Sequence, residues 1–147
     1  MIELYTIGFT QSSAEHFFTL LKENGVDMLV DIRRRPGGQL SGFAKKSDLP
    51  YFMKQLVGGE YIHLPILAPE DDILTTYRSS KNWSQFEAEF NAQMERDSVP
   101  DNLDKSLFET HRCCLLCSEH LPEHCHRRFV AERLARSWDG VTIHHLT

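Results

Sequence analysis

Residues 113–130 read CCLLCSEHLPEHCHRRFV, and the order of their chemistry decides the fold. Cys113 to Cys117 is nearly all apolar, as a strand buried on both faces is. A polar turn follows. Phe129, Val130, Leu134 and Trp138 then mark the buried face of a helix. Pro122 suits a first helical turn, where its missing N–H costs nothing. The helix is therefore expected to start near Pro122, with Cys125, His126 and Arg127 in its first turns.

Working outward, the same alternation recurs. Ile2 to Ile7 is an apolar, β-favouring run closed by Gly8. Ser12-Ser13-Ala14-Glu15 has capping-box spacing ahead of Ala14, Phe17, Phe18 and Leu21, and Gly25 ends that helix. Met28 to Ile32 is a second strand, and 33–42 a loop with three arginines. A short helix is expected after Ser47-Asp48, carrying Leu49, Phe52 and Leu56. Tyr61 to Leu64 is a third strand stopped by Pro65, and Pro69 to Asp72 a loop. Trp83, Phe86, Phe90 and Met94 share one helical face, and Leu103 to Phe108 forms a further turn or two. Val141 to Leu146 is a last strand. Strands alternating with helices predict an α/β domain over 1–147. Its sheet is mainly parallel with helices on both faces, a Rossmann-like or flavodoxin-like three-layer sandwich.

Composition narrows the function classes. Of 147 residues, 41% are hydrophobic and 25% charged, as in a globular domain. The longest apolar runs are too short to cross a bilayer, so no membrane partner is expected. The first residues lack the basic start and apolar stretch of a signal peptide, which predicts a cytoplasmic protein. A formal net charge of −5 argues against broad nucleic-acid binding. The basic clusters Arg33-Arg34-Arg35 and Arg127-Arg128 leave room for a local anion site.

In parallel sheets ligands collect beyond the carboxyl ends of the strands. That rule selects Thr6 and Gly8 at the first strand, Asp31 and Arg33 at the second, and Cys117 and Glu119 at the fourth. Cys125, His126 and Arg127 join them at the helix start, where free N–H groups favour an anion and a thiolate. Cys117, Glu119, Cys125 and His126 are the catalytic candidates. Thr6, Gly8, Asp31, Arg33 and Arg127 are the ligand-binding ones. Asp31 allows two readings, a ribose-hydroxyl acceptor or half of an ion pair pinning its loop. No Gly-x-Gly-x-x-Gly follows the first strand, so a dinucleotide fingerprint is absent.

Other arrangements fare less well. Cys117, His120, His124, Cys125 and His126 offer metal-ligand chemistry. However, paired short spacings are missing, and adjacent Cys125 and His126 would diverge on a helix, so no metal is assigned. Cys114 and Cys117 formally make Cys-x-x-Cys, but residues three apart on a strand face opposite sides. Cys113 and Cys114 are read as packing. A phosphatase-type loop would need an arginine six after its cysteine, where Glu119 and Glu123 stand. Trp83, Phe86 and Phe90 are read as core rather than a stacking platform. His144 and His145 are expected to point one ring to each face of their strand.

At these residues the sequence resembles the family called domain of unknown function 488. Its motifs are matched by Thr6-Ile7-Gly8, by Asp31-Ile-Arg33-Arg-Arg-Pro36, by Tyr61-Ile-His63-Leu-Pro65-Ile-Leu67, and by Leu115 through Arg127. Thr10 stands where the family often has serine, and Ala68-Pro69 where it often has glycines. The resemblance implies the fold and the candidate residues, and no reaction or cofactor. Two functions are carried forward. One is an enzyme or ligand-binding domain for an anionic small molecule or nucleotide-like group. The other is a metal-binding or thiol-redox sensor using Cys117, Cys125 and a nearby histidine.

Overall fold

The computed structural model describes residues 1–38, 41–119 and 121–147. Among these residues five strands form one sheet: β1 (Ile2–Gly8), β2 (Met28–Asp31), β3 (Glu60–His63), β4 (Cys113–Cys117) and β5 (Val141–His145). Their order is β3-β2-β4-β1-β5, and every pairing is parallel. The expected three-layer α/β sandwich is thus observed, with its own strand order. In the Rossmann and flavodoxin orders the second strand lies beside the first. Here β4 fills the slot between them. Both edges of β4 are paired and both faces covered, which explains why Cys113 to Cys117 alternate no polar residue.

The faces of the sheet divide the helices. Tyr5, Ile7, Leu29, Cys114 and Leu116 pack with Phe17, Phe18 and Leu21 of α1 (Ala14–Glu23) and with Leu49 of α2 (Leu49–Phe52). Val30, Leu115 and Cys117 point the other way. They meet Phe86, Phe90 and Met94 of α4 (Trp83–Arg96) and Phe129, Val130 and Leu134 of α6 (His126–Ser137). Ile73 of α3 (Asp71–Ser80) and Phe108 of α5 (Lys105–Thr110) complete that layer. Cys114 and Cys117 therefore do face opposite sides. So do the final histidines: the His144 ring stacks on Tyr5 at 4.7 Å, and His145 Nδ1 lies 2.6 Å from Thr6 Oγ1.

Four expectations need correction. The cap of α1 is Ser13, one residue later than the capping-box spacing implied, and its hydroxyl accepts from the His16 N–H. After α2 the chain winds into a wider π turn over Met53–Val57, which turns Met53 inward and leaves Leu56 48% exposed. Asp71 is helical, not loop, and the helix it opens was not expected. Ile73 is the one buried residue of α3, too little apolar periodicity to announce a helix. Finally, α6 starts at His126. Pro122 opens a separate turn, closed by the Cys125 N–H on the Pro122 carbonyl, and the extended backbone of Cys125 (φ −136°, ψ 139°) interrupts before the helix begins.

Candidate functional site

The late start of α6 brings the site together. As N-cap, Cys125 is free of helical geometry, so its thiol and the adjacent His126 ring turn to the same point, the end of β4. One ligand atom from each of Cys117, Cys125 and His126 lies within 4.8 Å of the others. The expectation that Cys125 and His126 diverge fails because only His126 is helical. His120, named above as a ligand candidate, lies outside the described residues. His124 is exposed and sits edge-on to Trp83.

His126 Nε2 lies 2.9 Å from the Ile32 carbonyl. A carbonyl only accepts, so that nitrogen carries its proton. Nδ1 is thereby aimed at Cys117 Sγ, 3.2 Å away. Burial of Cys117 (4% exposed) opposes the charged form of its thiol. The opposition is outweighed by the Cys125 thiol, the N–H groups of Ser118 and Glu119, and the charge of Arg127, which together hold Cys117 below its ordinary value. Cys125 moves the other way: burial, then the neighbouring Cys117, keep it protonated far above the usual thiol range. The site thus holds one thiolate-prone sulfur and one thiol that donates to it.

The turn that carries these amides is held by residues from elsewhere. The Ser118 carbonyl accepts from the backbone N–H of Phe9 and Thr10 and, at 2.8 Å, from the Thr10 hydroxyl. Arg127, fully buried, donates from NH1 to the Glu119 carbonyl and from Nε to Thr6 Oγ1 at 3.1 Å. The Ser118 carbonyl shares its trans peptide plane with the Glu119 N–H, so holding that carbonyl away aims the Glu119 N–H at the sulfur, and the Arg127 bond to the Glu119 carbonyl anchors the end of the turn. Gly8 leaves space for this: a Cβ there would stand 1.6 Å from the Glu119 oxygen. Thr10, which stands where the family often has serine, thus takes part through its hydroxyl.

Asp31 and Arg33 make a closed clasp. Arg33 donates its backbone N–H, Nε and NH2 to the Asp31 carboxylate at 3.1, 2.9 and 2.7 Å, and the Tyr61 hydroxyl adds a fourth bond at 2.6 Å. Burial, then the Asp31 bond, push the Tyr61 phenol far up. Four donors occupy the carboxylate, the arrangement expected of the loop-pinning reading of Asp31. The clasp sets Arg33 with its guanidinium 5.2 Å from the Phe9 ring.

Above this cluster opens a cleft of about 410 Å³. Its floor is Cys117, Ser118, Glu119, Cys125 and His126. Leu74, Tyr77, Trp83 and Phe86 form an apolar, aromatic wall, and Arg33, Arg34, Arg35 and Arg78 line the remainder. Arg33 is neutralised by Asp31, and Arg35 pairs with Asp71 at 2.5 Å. Arg34 is bonded to the uncharged carbonyls of Ala68 and Pro69, so its charge is kept. Of the candidates read from sequence, Arg33, Cys117, Glu119, Cys125 and His126 line the cleft. Thr6, Gly8, Asp31 and Arg127 lie beneath it as supports.

The wall was missed because Trp83 and Phe86 have core spacing and also serve as core. Arg78 and Tyr77 were missed with their helix. The pair Tyr77-Arg78, an aromatic beside a cation four and five residues after Ile73, was the signal available.

The family model for the domain of unknown function DUF488 matches residues 13–134, and the chain belongs to that family. No curated protein and no solved structure matches the chain. Among the described residues no helix is long and apolar enough to cross a membrane.

Proposed function

We propose that this DUF488-family chain binds an anionic, ring-bearing small molecule of nucleotide-like chemistry in the cleft and acts on it through the Cys117 thiolate. One observation carries the reading: a thiolate-prone cysteine shares a cleft with an aromatic wall and an arginine rim. The volume is within the range of small-molecule sites, roughly 300–1,000 Å³. A planar ring stacks against Trp83 and Tyr77, and a phosphate or carboxylate meets Arg34 and Arg78. Cys117 is the nucleophile. His126, its tautomer set by the Ile32 carbonyl, holds the proton that Cys117 gives up. Cys125 steadies the thiolate through its S–H, and Glu119, exposed at the edge, exchanges protons with the leaving group. Arg33, fixed by Asp31, gives the rim its rigid base, and Thr6, Gly8 and Arg127 hold the Ser118–Glu119 turn in place.

Thermal melts with nucleotides, nucleosides and inorganic phosphate at matched ionic strength test the reading. Matching is needed because phosphate and sulfate stabilise proteins generally by exclusion. Nucleotides should protect more than nucleoside or phosphate alone. Arg78→Ala should leave the unliganded melt unchanged and weaken binding about ten- to a hundredfold, the scale of one charge-assisted hydrogen bond. Equal protection by every anion, unaffected by Arg78→Ala, would sink the reading.

A second reading is favoured by the three ligand atoms within 4.8 Å: Cys117, Cys125 and His126 hold a soft metal such as zinc. The Ile32 carbonyl on Nε2 is the kind of outer partner that orients a ligating histidine. Stoichiometric zinc in protein purified without chelator supports this reading; none removes it.

A further inference from the structure

Of the four cysteines, Cys117 and Cys125 line the cleft, whereas Cys113 and Cys114 have no exposed surface. The two cleft thiols stand on separate elements, a strand end and a helix cap, eight residues apart in the chain. Their sulfurs are within 4.8 Å. A disulfide requires roughly 2 Å between sulfurs. Side-chain rotation at Cys117 and Cys125 can close that gap, because the extended backbone of Cys125 lies ahead of the first turn of α6 and is not held by it. The two positions are also unequal. Cys117 Sγ has His126 Nδ1 at 3.2 Å as its proton partner, while Cys125 stands on the cap beside it, within reach of the same sulfur. One sulfur next to a base, with a second sulfur next to the first, is the arrangement that two-thiol redox chemistry needs.

We propose that Cys117 and Cys125 form a redox centre that reduces a hydroperoxide, with Cys117 the attacking and Cys125 the resolving sulfur. The inference rests on Cys117 being the nucleophile of the proposed function and adds a second activity to the same floor. In the first step the Cys117 sulfur attacks the outer peroxide oxygen and the O–O bond breaks. The leaving alkoxide takes the proton from His126 Nδ1 and departs as an alcohol, or as water from hydrogen peroxide. Cys117 is left as a sulfenic acid, oxidised by two electrons. In the second step His126, now neutral, accepts the Cys125 proton. The Cys125 sulfur attacks Cys117, the S–S bond forms, and hydroxide leaves with that proton as water. In sum, one hydroperoxide and two thiols give one alcohol, one water and one disulfide. A dithiol reductant restores the thiols by exchange.

The test treats the reduced, metal-free full chain with hydrogen peroxide, then counts thiols and maps peptides without reduction. Wild type should lose two of its four thiols and yield one internal crosslink, Cys117 to Cys125. Cys125→Ser and Cys125→Ala should each lose one thiol and leave Cys117 trappable by dimedone as the sulfenic acid. Cys117→Ser should lose none. Melting curves of each variant before oxidation establish that it is folded. A crosslink through Cys113 or Cys114, or between two chains, would overturn the proposal. So would four intact thiols after excess peroxide. In that last case, iodoacetamide labelling of the same sample separates the claims: labelled Cys117 leaves the proposed function standing, and unlabelled Cys117 removes both.

Discussion

Adding one methyl group at Gly8 tests how the site is built, because the position does not line the cleft yet touches the turn that carries the amides. In Gly8→Ala the new Cβ would stand 1.6 Å from the Glu119 oxygen, 2.4 Å from its carbon and 2.5 Å from Arg127 NH1. Two of these atoms are backbone, so no side-chain rotation relieves the contact, and the Ser118–Glu119 turn must move. Overpacking of this kind costs about 1–3 kcal/mol and occasionally more. A backbone clash this close belongs at the top of that range. For a domain of this size, about 3 kcal/mol lowers Tm by roughly 6–12 °C. The second consequence falls on Cys117. Losing one amide bond to a thiolate, about 1.5–3 kcal/mol, makes the thiolate roughly ten- to a hundredfold scarcer at neutral pH. Urea unfolding gives the first quantity. The rate of iodoacetamide labelling at Cys117, resolved by mass spectrometry, gives the second. A variant as stable as wild type and equally reactive would refute the claim that Gly8 positions the turn. A destabilised variant with unchanged reactivity would refute the claim that the amides hold the thiolate.

Arg127→Lys should lower stability by about 1–3 kcal/mol, since a single ammonium cannot bond Thr6 and the Glu119 carbonyl together. Its nucleotide protection should match wild type; an unchanged melt with weakened protection would instead move Arg127 into the ligand site. Stability should also fall as pH rises above 9.0, the ordinary thiol value. Burial, then Asp27, push Cys113 up to about 12, and burial foremost raises Cys114 and Cys125 as well. Between 9.0 and those raised values the unfolded chain gives up protons that the folded chain keeps, so their contribution is complete below 9.0 and lost above it. Cys117 has the opposite sign: its contribution is complete above 9.0 and lost as pH falls through its lowered value. With three thiols against one, the urea midpoint should drop from pH 9.0 upward. A midpoint constant to about pH 11 would contradict the burial of these thiols.

Much of this was legible in the chain because burial writes itself into sequence. Cys113 to Cys117 has no polar residue and proved to be the central strand; Trp83 to Met94 kept a helical face and proved to be a helix. The slot that β4 occupies was not legible, since parallel strands buried on both faces share one pattern whatever their neighbours. Nor was α3, which lies over α4 with a single buried residue. At the site, the residues of the Cys117–Arg127 segment were identifiable by type, but their directions were not. One extended residue, Cys125, decides whether two side chains converge or diverge, and Pro122 pointed to the wrong helix start. The clasp of Asp31 by Arg33 and Tyr61 depends on β2 and β3 being neighbours, a matter of topology.

The most direct test of the central claim is the pH dependence of Cys117 alkylation, measured residue by residue with and without a nucleoside triphosphate at matched ionic strength. Cys117 should be labelled before the other three cysteines, with its rate half-maximal at a pH below 9.0, and the nucleotide should slow it. A half-maximal rate at 9.0 or higher, or a rate that the nucleotide leaves unchanged, would contradict a thiolate at the floor of a nucleotide-like ligand cleft.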